Sequence, residues 1–287
     1  MEHVPVLLEE TLELLAVRPD GIYLDCTTGL GGHTQAIARR LSTGLVIATD
    51  RDGESLEQAR RNTAALAERI RFRKAAFSEL RAALRELGIQ QVHGLIADLG
   101  PSRAQLLSPE RGFSLSADGP LDMRFDRTAG PTAADLVNTK SAKEIADSLF
   151  FFGEVRRAKK IAASIVAARP IHSTLNLASV VARAAPPTHR LHPATQAFMA
   201  LRRWVNQEHQ ELTALLTMAP ELVGRGGRIV IISFMSLEDR LVKQSFRELE
   251  RLGRARLLTK RVIRPSEAEV RSNPSARSAK LRAVEVT

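Results

Sequence analysis

Cysteine, aromatic residues and long apolar runs are scarce in this chain of 287 residues. Its single cysteine, Cys26, excludes an intrachain disulfide, and no Cys/His cluster has the spacing of a structural zinc site. No apolar run approaches the roughly 20 residues needed to span a bilayer. With aromatics at 4%, the composition indicates no stacking platform of the kind that single-strand nucleic-acid binders use. We therefore expect neither a disulfide scaffold, a metal site nor a membrane span.

The residues that are abundant indicate a globular, basic protein. Hydrophobic residues make up 44% of the chain, enough for the core of one large or two modest domains. The N-terminus has no basic segment followed by an apolar one, so we expect a cytoplasmic protein. The net charge is +10, and residues 251–287 hold ten Lys/Arg against three Asp/Glu. Such an excess favours a phosphate-rich partner, although a merely solvated basic surface is the alternative.

A glycine cluster after a short apolar run is the most informative feature. Residues 22–25 read as a buried strand, and residues 29–32 (GLGG) allow the backbone to approach a ligand before a helix begins. A second apolar run ends in Asp50, 25 residues after Asp25. An acid at the end of the second strand of a doubly wound sheet is placed to bind ribose hydroxyls. The pattern predicts a nucleotide-cofactor site.

The glycine spacing discriminates between cofactors. A dinucleotide fingerprint that begins at Gly29 and Gly31 requires a third glycine at position 34, which is Thr34. That glycine lets the helix pack closely beneath a pyrophosphate, so NAD is disfavoured. A cofactor without phosphates, such as S-adenosylmethionine, does not need it. The sequence favours a methyltransferase.

The order of predicted elements favours an α/β fold with an insertion. Strands at 22–25, 45–50, 70–74 and 94–98 alternate with helical patterns, which indicates a parallel sheet. From 142 to about 222 the patterns are helical, and strands resume at 229–234, 255–263 and 280–286. We predict a doubly wound, mostly parallel seven-stranded Rossmann-like methyltransferase sheet with an inserted helical domain. The helical patterns cover residues 4–16, 55–68, 78–87, 144–168, 175–185, 194 onward and 237–252.

Asp98 ends the fourth strand, at the sheet edge where open α/β folds place ligands. Its carboxylate can accept hydrogen bonds from an exocyclic amine, or it can orient the cofactor or cap a helix. Cys26 lies in the presumed cofactor turn, so we interpret it as a packing residue and not as the nucleophile of a cytosine C5 methyltransferase. His33 fits a backbone-proximal cofactor contact better than a general base.

Several sequence blocks together closely resemble the bacterial ribosomal small-subunit RNA (cytosine-N4) methyltransferase family, also called the MraW or RsmH family. The match runs nearly end to end. The blocks are HVPVLLEE at 3–10, DCTTGLGGHT at 25–34, ATDRD at 48–52, DLGPS at 98–102, ERGFSLSADGPLDMRFD at 110–126, HPATQAFMALRRWVN at 192–206, GGRIVIISFMSLEDRLVK at 226–243 and NPSARSAKLR at 273–282.

The resemblance implies S-adenosylmethionine as methyl donor and the N4 amine of a small-subunit rRNA cytidine as acceptor, with rRNA or a ribosomal particle as partner. It implies a cofactor domain formed by residues 1–103 and 211–287, with an inserted substrate-recognition domain at 104–210. No metal is required, and the oligomeric state is left open. The implied cofactor contacts are Gly31, Gly32, His33, Asp50, Phe77, Asp98 and Gln105. The catalytic candidates are Asp98 and Ser102, and the RNA-contact candidates are Arg103, Arg124, Arg202, Met235, Arg277 and Lys280.

Two positions depart from the family pattern. Arg103 stands where a serine is usual after the DLG block, and Met235 replaces a histidine. Both are expected on the acceptor side. They leave open an alternative function, that of a diverged ribosome assembly factor with weak or no methyl transfer. A protein methyltransferase is disfavoured by the basic C-terminal segment.

Overall fold

The computed structural model describes residues 5–185 and 192–287. Within these residues the chain divides into two compact units, one formed by residues 1–100 and 209–287 and the other by residues 101–208. The prediction placed the boundaries after residues 103 and 210. The roles it assigned to the two domains stay predictions, and residues 186–191 of the insertion lie outside the described part.

A seven-stranded sheet forms the centre of the first unit. Its strands are β1 (Ile22–Asp25), β2 (Leu45–Asp50), β3 (Ile70–Lys74), β4 (Val92–Asp98), β5 (Val223–Ser233), β6 (Ala255–Leu257) and β7 (Lys280–Val286). Their order is β3-β2-β1-β4-β5-β7-β6. Strand β7 runs antiparallel to β5 and β6, and the remaining pairs are parallel. The predicted doubly wound fold with an antiparallel closing pair is confirmed.

The central strands form because their residues are apolar on both faces. Leu24, Ile47 and Leu95 pack into one buried cluster, while Val46 and Ile96 pack into another. Burial on both faces is typical of a parallel sheet covered by helices on each side. The carboxyl ends of β1, β2 and β4 are thereby held in fixed register.

Helices flank the sheet and make up most of the second unit. In chain order they are α1 (Leu8–Leu15), α2 (Gly32–Arg40), α3 (Gly53–Asn62), α4 (Leu80–Glu86), α5 (Arg103–Leu107), α6 (Ala133–Thr139), α7 (Ala142–Gly153), α8 (Ala158–Ala167), α9 (Thr174–Ala184), α10 (Thr195–Val205), α11 (Glu208–Leu222), α12 (Ser236–Arg251) and α13 (Glu267–Ser272). Among the described residues no helix has both the length and the apolar character to cross a membrane.

Two predicted long helices are each broken in the structure. The helix predicted at 144–168 is α7 followed by α8, because Glu154 adopts a left-handed conformation with φ 49°. The pattern from 194 onward divides into α10 and α11 at Gln207, which has φ 51°. A left-handed backbone is uncommon outside glycine, asparagine and aspartate, so neither break could be predicted from the residue type at these two positions.

Other boundaries also differ from the prediction. Strand β5, predicted at 229–234, begins at Val223, and β4 begins at Val92 and not at residue 94. The strand predicted at 255–263 ends at Leu257, and only an isolated bridge from Ile263 to Leu281 continues the pairing. The helix predicted at 55–68 ends at Asn62 and is followed by a 3-10 helix. The N-terminal helix begins at Leu8 and not at residue 4, which lies outside the described residues.

Candidate active site

Three aspartates end three neighbouring strands at the same sheet edge. Asp25 closes β1 and pairs in register with Ala48 of β2 and Ile96 of β4. Asp50 and Asp98 therefore extend two residues beyond it on either side, about 6–7 Å of strand. The strand order reverses between β1 and β4, which is where open α/β sheets bind ligands. The three carboxylates therefore lie along one stretch of the sheet edge.

The glycine turn lies between the ends of β1 and β2. Gly29 and Gly31 have φ of 51° and 92°, which glycine adopts without steric cost. The Gly29 N–H donates to Asp50 Oδ2 at 2.8 Å. A Cβ on Gly31 would lie 3.1 Å from the Thr63 side chain, so little room exists there for a larger residue. The turn thus ties the chain just before α2, which begins at Gly32, to the end of β2.

Asp25 is the buried anchor of this turn. Its carboxylate accepts hydrogen bonds from the Thr34 hydroxyl at 2.6 Å and from the Thr27 N–H at 3.1 Å. Burial raises the pKa of Asp25 to about 6 in spite of these bonds. The sequence reading did not name Asp25 as a site residue, although its place at the end of the first strand was the available signal.

Asp50 is held by backbone donors on both oxygens. Besides the bond from Gly29, its Oδ1 accepts from the Asp52 N–H at 2.9 Å. Burial raises the pKa of Asp50 to about 6, and the two backbone bonds oppose that shift. A carboxylate has about four acceptor positions, so two remain for ligand hydroxyls. The side chain is fixed in place and still able to bind.

Asp98 has the least satisfied carboxyl group of the three. Its Oδ1 is buried and has no hydrogen-bond partner among the described residues. Its backbone N–H donates to the Thr27 hydroxyl at 2.6 Å, which fixes the end of β4. Burial, with the nearby charges of Asp25 and Glu238, raises the pKa of Asp98 to about 8. A buried acceptor without a donor costs free energy, and a ligand that donates a hydrogen or carries positive charge relieves that cost.

Glu238 supports the end of β5, and the sequence reading had not singled it out. This buried carboxylate accepts the backbone N–H groups of Phe234 and Met235 at 3.1 and 3.0 Å. Met235 precedes α12 and is half-buried. Its thioether cannot cap the helix as an oxygen would, so Glu238 satisfies the backbone donors there. The signal available was an acid in the third position of the helix.

Three other predicted residues of this unit have well-defined surroundings. The Cys26 thiol is buried, and burial, together with the charge of Asp25, raises its pKa well above the ordinary value. A neutral thiol is a poor nucleophile. His33 is also buried, with Nε2 lying 3.1 Å from the Val6 carbonyl oxygen, so its ring holds the N-terminal segment. Phe77 is half-buried against the sheet core.

Five of the predicted residues belong to the second unit. Ser102 caps α5, its hydroxyl accepting the Gln105 N–H while the Gln105 side chain accepts the Ser102 N–H. Arg103 is exposed on the same helix. Arg124 donates from Nε to Asp122 at 2.8 Å, and Arg202 donates from Nε to Glu208 at 2.7 Å. The two arginines are thus engaged in ion pairs within their own unit.

The two RNA-contact residues predicted in the basic C-terminal segment differ in whether their charged groups already have partners in the chain. Arg277 is exposed, whereas the Lys280 ammonium donates to the carbonyl oxygens of Phe234 and Ser278, each at 3.2 Å. The neighbouring Arg282 is nearly buried and forms a two-bond ion pair with Asp239. Among the residues that the structure describes, no group of three His, Cys, Asp or Glu could hold a metal ion.

Comparison with known proteins identifies the family. The model of the MraW methylase family matches residues 1–287. The chain belongs to the MraW methylase family. The resemblance found in the sequence blocks is therefore confirmed.

Relatives in this family are similar over almost the whole chain. A protein of Solibacter usitatus named ribosomal RNA small subunit methyltransferase H is 56% identical over 99% of this chain and 99% of its own length. Proteins of the same name from Acidobacterium capsulatum and Gloeobacter violaceus are 47% and 48% identical, over 99% and 98% of this chain and 98% and 87% of theirs. A solved rRNA methylase from Streptococcus thermophilus reaches a TM-score of 0.43 at 12% identity, covering 99% of both chains. A likeness that weak adds nothing to what the strand order shows.

Proposed function

We propose that this protein transfers a methyl group from S-adenosylmethionine to the N4 amine of a cytidine in small-subunit rRNA. Family membership and the names of the relatives support methylation of small-subunit rRNA. The observation that carries the cofactor assignment is the buried, unpartnered Oδ1 of Asp98 at the switch point of the sheet. The N4 position rests on the sequence resemblance.

The sheet edge offers the acceptors that S-adenosylmethionine requires. The cofactor carries positive charge on its sulfur and its amino group, and Asp98 offers a buried carboxyl with a free oxygen. Asp50 has two acceptor positions left for the ribose hydroxyls. We assign Phe77 to the adenine, the Gly31–Gly32 backbone and the start of α2 at His33 to the turn contact, and Gln105 to the methionine end.

The chemical problem is the weak nucleophilicity of the cytosine amine, whose lone pair is delocalised into the ring. The bound cofactor supplies an electrophilic methyl group. The protein must accept the N4 hydrogens, aim the lone pair and take up the one proton released when N–H is replaced by N–CH3. Asp98 is the candidate for that proton, because binding of the cationic cofactor favours its ionised carboxylate, which can accept a hydrogen. Ser102 is a candidate donor or acceptor toward the base.

Arg103 and Met235 are expected to modify the acceptor side without abolishing transfer. A guanidinium can bind an RNA phosphate or a base edge in place of a hydroxyl. The histidine that Met235 replaces is not needed as a base if Asp98 takes the proton. We assign Arg124, Arg202, Arg277 and Lys280 to RNA with different weight, since Arg277 is exposed and the other three already have partners.

One assay tests this function. The protein is incubated with methyl-labelled S-adenosylmethionine and small subunits that lack the modification, and the RNA is digested to identify the labelled nucleoside. N4-methylated cytidine is expected. A label at another atom would correct the acceptor. Cofactor binding without any transfer, together with transfer by a variant carrying Arg103→Ser and Met235→His, would instead support the assembly-factor alternative.

A further inference from the structure

Two consecutive phenylalanines of the helical unit are largely exposed. Phe150 and Phe151, near the end of α7, are 69% and 58% exposed, while the adjacent Phe152 is buried in the core of this unit. Single exposed apolar residues are ordinary, but two exposed phenylalanines at successive positions are not. The Phe151 ring contacts the Phe152 ring edge-on, with 5.0 Å between centroids. The composition alone gave no reason to expect a stacking surface, because aromatics are few.

The rings are carried by a rigid helix end. The N–H groups of Glu154 and Val155 bond to the carbonyl oxygens of Phe150 and Leu149 at 2.9 and 3.2 Å, which closes α7. The side chain of Arg203, only 2% exposed, donates to the Phe152 carbonyl oxygen at 2.7 Å. A buried cation at the carboxyl end of a helix is favoured by the helix dipole. The exposure of the two rings is therefore a property of a fixed structure.

Four cations follow these rings within ten residues of the chain. The short connection to α8 and its first turn carry Arg156, Arg157, Lys159 and Lys160, all exposed. None of the four forms an ion pair with a described residue. Lysines in the first turn of a helix oppose its dipole, so Lys159 and Lys160 do not stabilise α8. Because these two lysines carry positive charge where it disfavours the helix, we infer that an anion outside the chain is their partner.

We propose that residues 150–160, the FFFG corner, bind an unpaired segment of RNA. Phe150 and Phe151 stack on bases, and the four cations bind the adjacent phosphates. Aromatic rings beside unpaired cations are the combination that single-stranded nucleic acids require, because each nucleotide presents an apolar face and a charge. A duplex buries its base faces and cannot use the rings. This inference rests on the proposed function only for the identity of the partner as RNA.

The test measures binding and does not depend on methyl transfer. The affinity of the full chain for an unstructured RNA oligonucleotide, for the duplex of the same sequence and for small-subunit rRNA is measured by fluorescence anisotropy. Phe150→Ala with Phe151→Ala is expected to weaken binding of the single strand by about 5- to 150-fold per stacked base and to leave duplex binding unchanged. Phe150→Trp with Phe151→Trp should retain the affinity.

Matched variants separate stacking from general apolar or charge effects. Phe150→Leu with Phe151→Leu keeps an apolar surface but has no aromatic face, so it should behave like the alanine pair. Lys159→Gln with Lys160→Gln should lower the slope of log affinity against log salt by about 0.7 for each phosphate that the variant no longer binds. Leu175→Ala and Lys143→Gln are controls, because both residues are exposed in the same unit and Lys143 is paired with Asp147. Neither control should change RNA affinity.

Three outcomes would overturn the proposal. The first is an unchanged affinity for the single strand when both phenylalanines are replaced by alanine. The second is wild-type affinity for the single strand when both are replaced by leucine. The third is a loss of self-association of the protein in the alanine variant, without a change in RNA affinity per protomer. The last result, seen by sedimentation, would make the corner an interface between two copies. Normal labelling of rRNA by the alanine pair with unchanged RNA affinity would remove this inference alone. RNA affinity that depends on the rings without any methyl transfer would remove the proposed reaction and leave the inference standing.

Discussion

The three aspartates of the sheet edge and the acids of the helical unit have pKa values shifted in opposite directions. At the sheet edge, burial raises the pKa values of Asp25, Asp50 and Asp98 to about 6, 6 and 8. In the helical unit, hydrogen bonds from Ser141 lower the pKa of Glu144 to about 2. Burial acts on Asp122 as well, but the hydrogen bonds and charge of Arg124 outweigh it and hold its pKa below the ordinary value.

The direction of the pKa shift distinguishes acidic side chains that stabilise the fold from those that are stabilised only when a ligand binds. A carboxylate with donors on the chain contributes stability, whereas a buried one without a donor costs stability until something binds. Asp98 belongs to the second kind and Asp122 to the first. The same residue type therefore serves binding at Asp98 and architecture at Asp122.

The largest effect is expected for Asp98→Asn. Removing the charge that faces a cationic cofactor should weaken S-adenosylmethionine binding by roughly 30- to 5,000-fold. The same change should stabilise the cofactor-free protein by about 2–4 kcal/mol at neutral pH, because no carboxyl is then held with a raised pKa. Calorimetry and denaturant unfolding give the two values. If binding and stability fell together, Asp98 would be an architectural acid like Asp122.

Asp50→Ala should have the next largest effect on the cofactor. Loss of one charge-assisted hydrogen bond, about 1.5–3 kcal/mol, corresponds to a 10- to 150-fold loss of affinity. Asp50→Asn is the matched control for shape, since its side-chain oxygen can still accept the Gly29 N–H. Wild-type affinity in a folded Asp50→Ala protein would remove Asp50 from the site.

Cofactor affinity should rise with pH. The pKa of Asp98 is about 8 without ligand and must fall when a cation binds, so binding releases a proton below pH 8. Affinity should increase by up to about tenfold per pH unit toward 8 and then level off. Calorimetry in buffers of different ionisation enthalpy counts the protons. A profile that is equally steep in Asp98→Asn would assign the proton to another group.

The stability of the two units should also respond differently to acidic pH. The lowered pKa of Glu144 contributes stability that is present above its ordinary value of 4.5 and is lost as the pH falls toward 2. Ionisation of Asp98 has the opposite sign, because its cost appears as the pH rises from 3.8 toward 8. Hydrogen exchange at several pH values can follow each unit. Protection should fall first in the helical unit below pH 4.

Asp122→Ala tests the architectural acid. It removes the acceptor of the Arg124 Nε and backbone bonds and should cost about 1–3 kcal/mol of unfolding free energy. Cofactor affinity should remain within twofold of the wild type, roughly 0.4 kcal/mol. A large loss of cofactor binding at unchanged stability would reverse the contrast between the two units.

The smallest effect on chemistry is expected for Cys26→Ala. The thiol is neutral and buried, so its removal should cost only about 1 kcal/mol of stability through poorer packing and leave methyl transfer intact. Rates and unfolding curves are compared with the wild type. Complete loss of transfer in a folded, cofactor-binding variant would show that a covalent route exists.

Much of the sheet edge could be predicted from the sequence. A strand buried on both faces reads as an uninterrupted apolar run, and an acid at the end of such a run marks the point where the chain leaves the core. Asp50 and Asp98 were named on that basis. Glu238 and Asp25 were missed because their partners, backbone N–H groups and Thr34, become visible only when the turns have folded.

The helical unit was less predictable in detail. The helical spacing of apolar residues continues across Glu154 and across Gln207, where the structure has breaks. The sequence therefore predicted one helix in place of α7 and α8, and one in place of α10 and α11. Periodicity also does not show which of three consecutive phenylalanines will be buried. In the structure Phe152 packs into the core of this unit, and the other two stay exposed.

The sequence by itself determined the order of strands and helices, the glycine turn, the acids at the strand ends and the family, because each depends on local pattern or on matching blocks of residues. Only the tertiary structure decided which charges are available. Arg202 and Arg282 are basic in any reading, yet one is paired with Glu208 and the other with Asp239. Asp98 is an ordinary acid in the sequence and becomes an unsatisfied one in the fold. Availability depends on what else is brought within hydrogen-bonding distance, and that is a property of the packed chain.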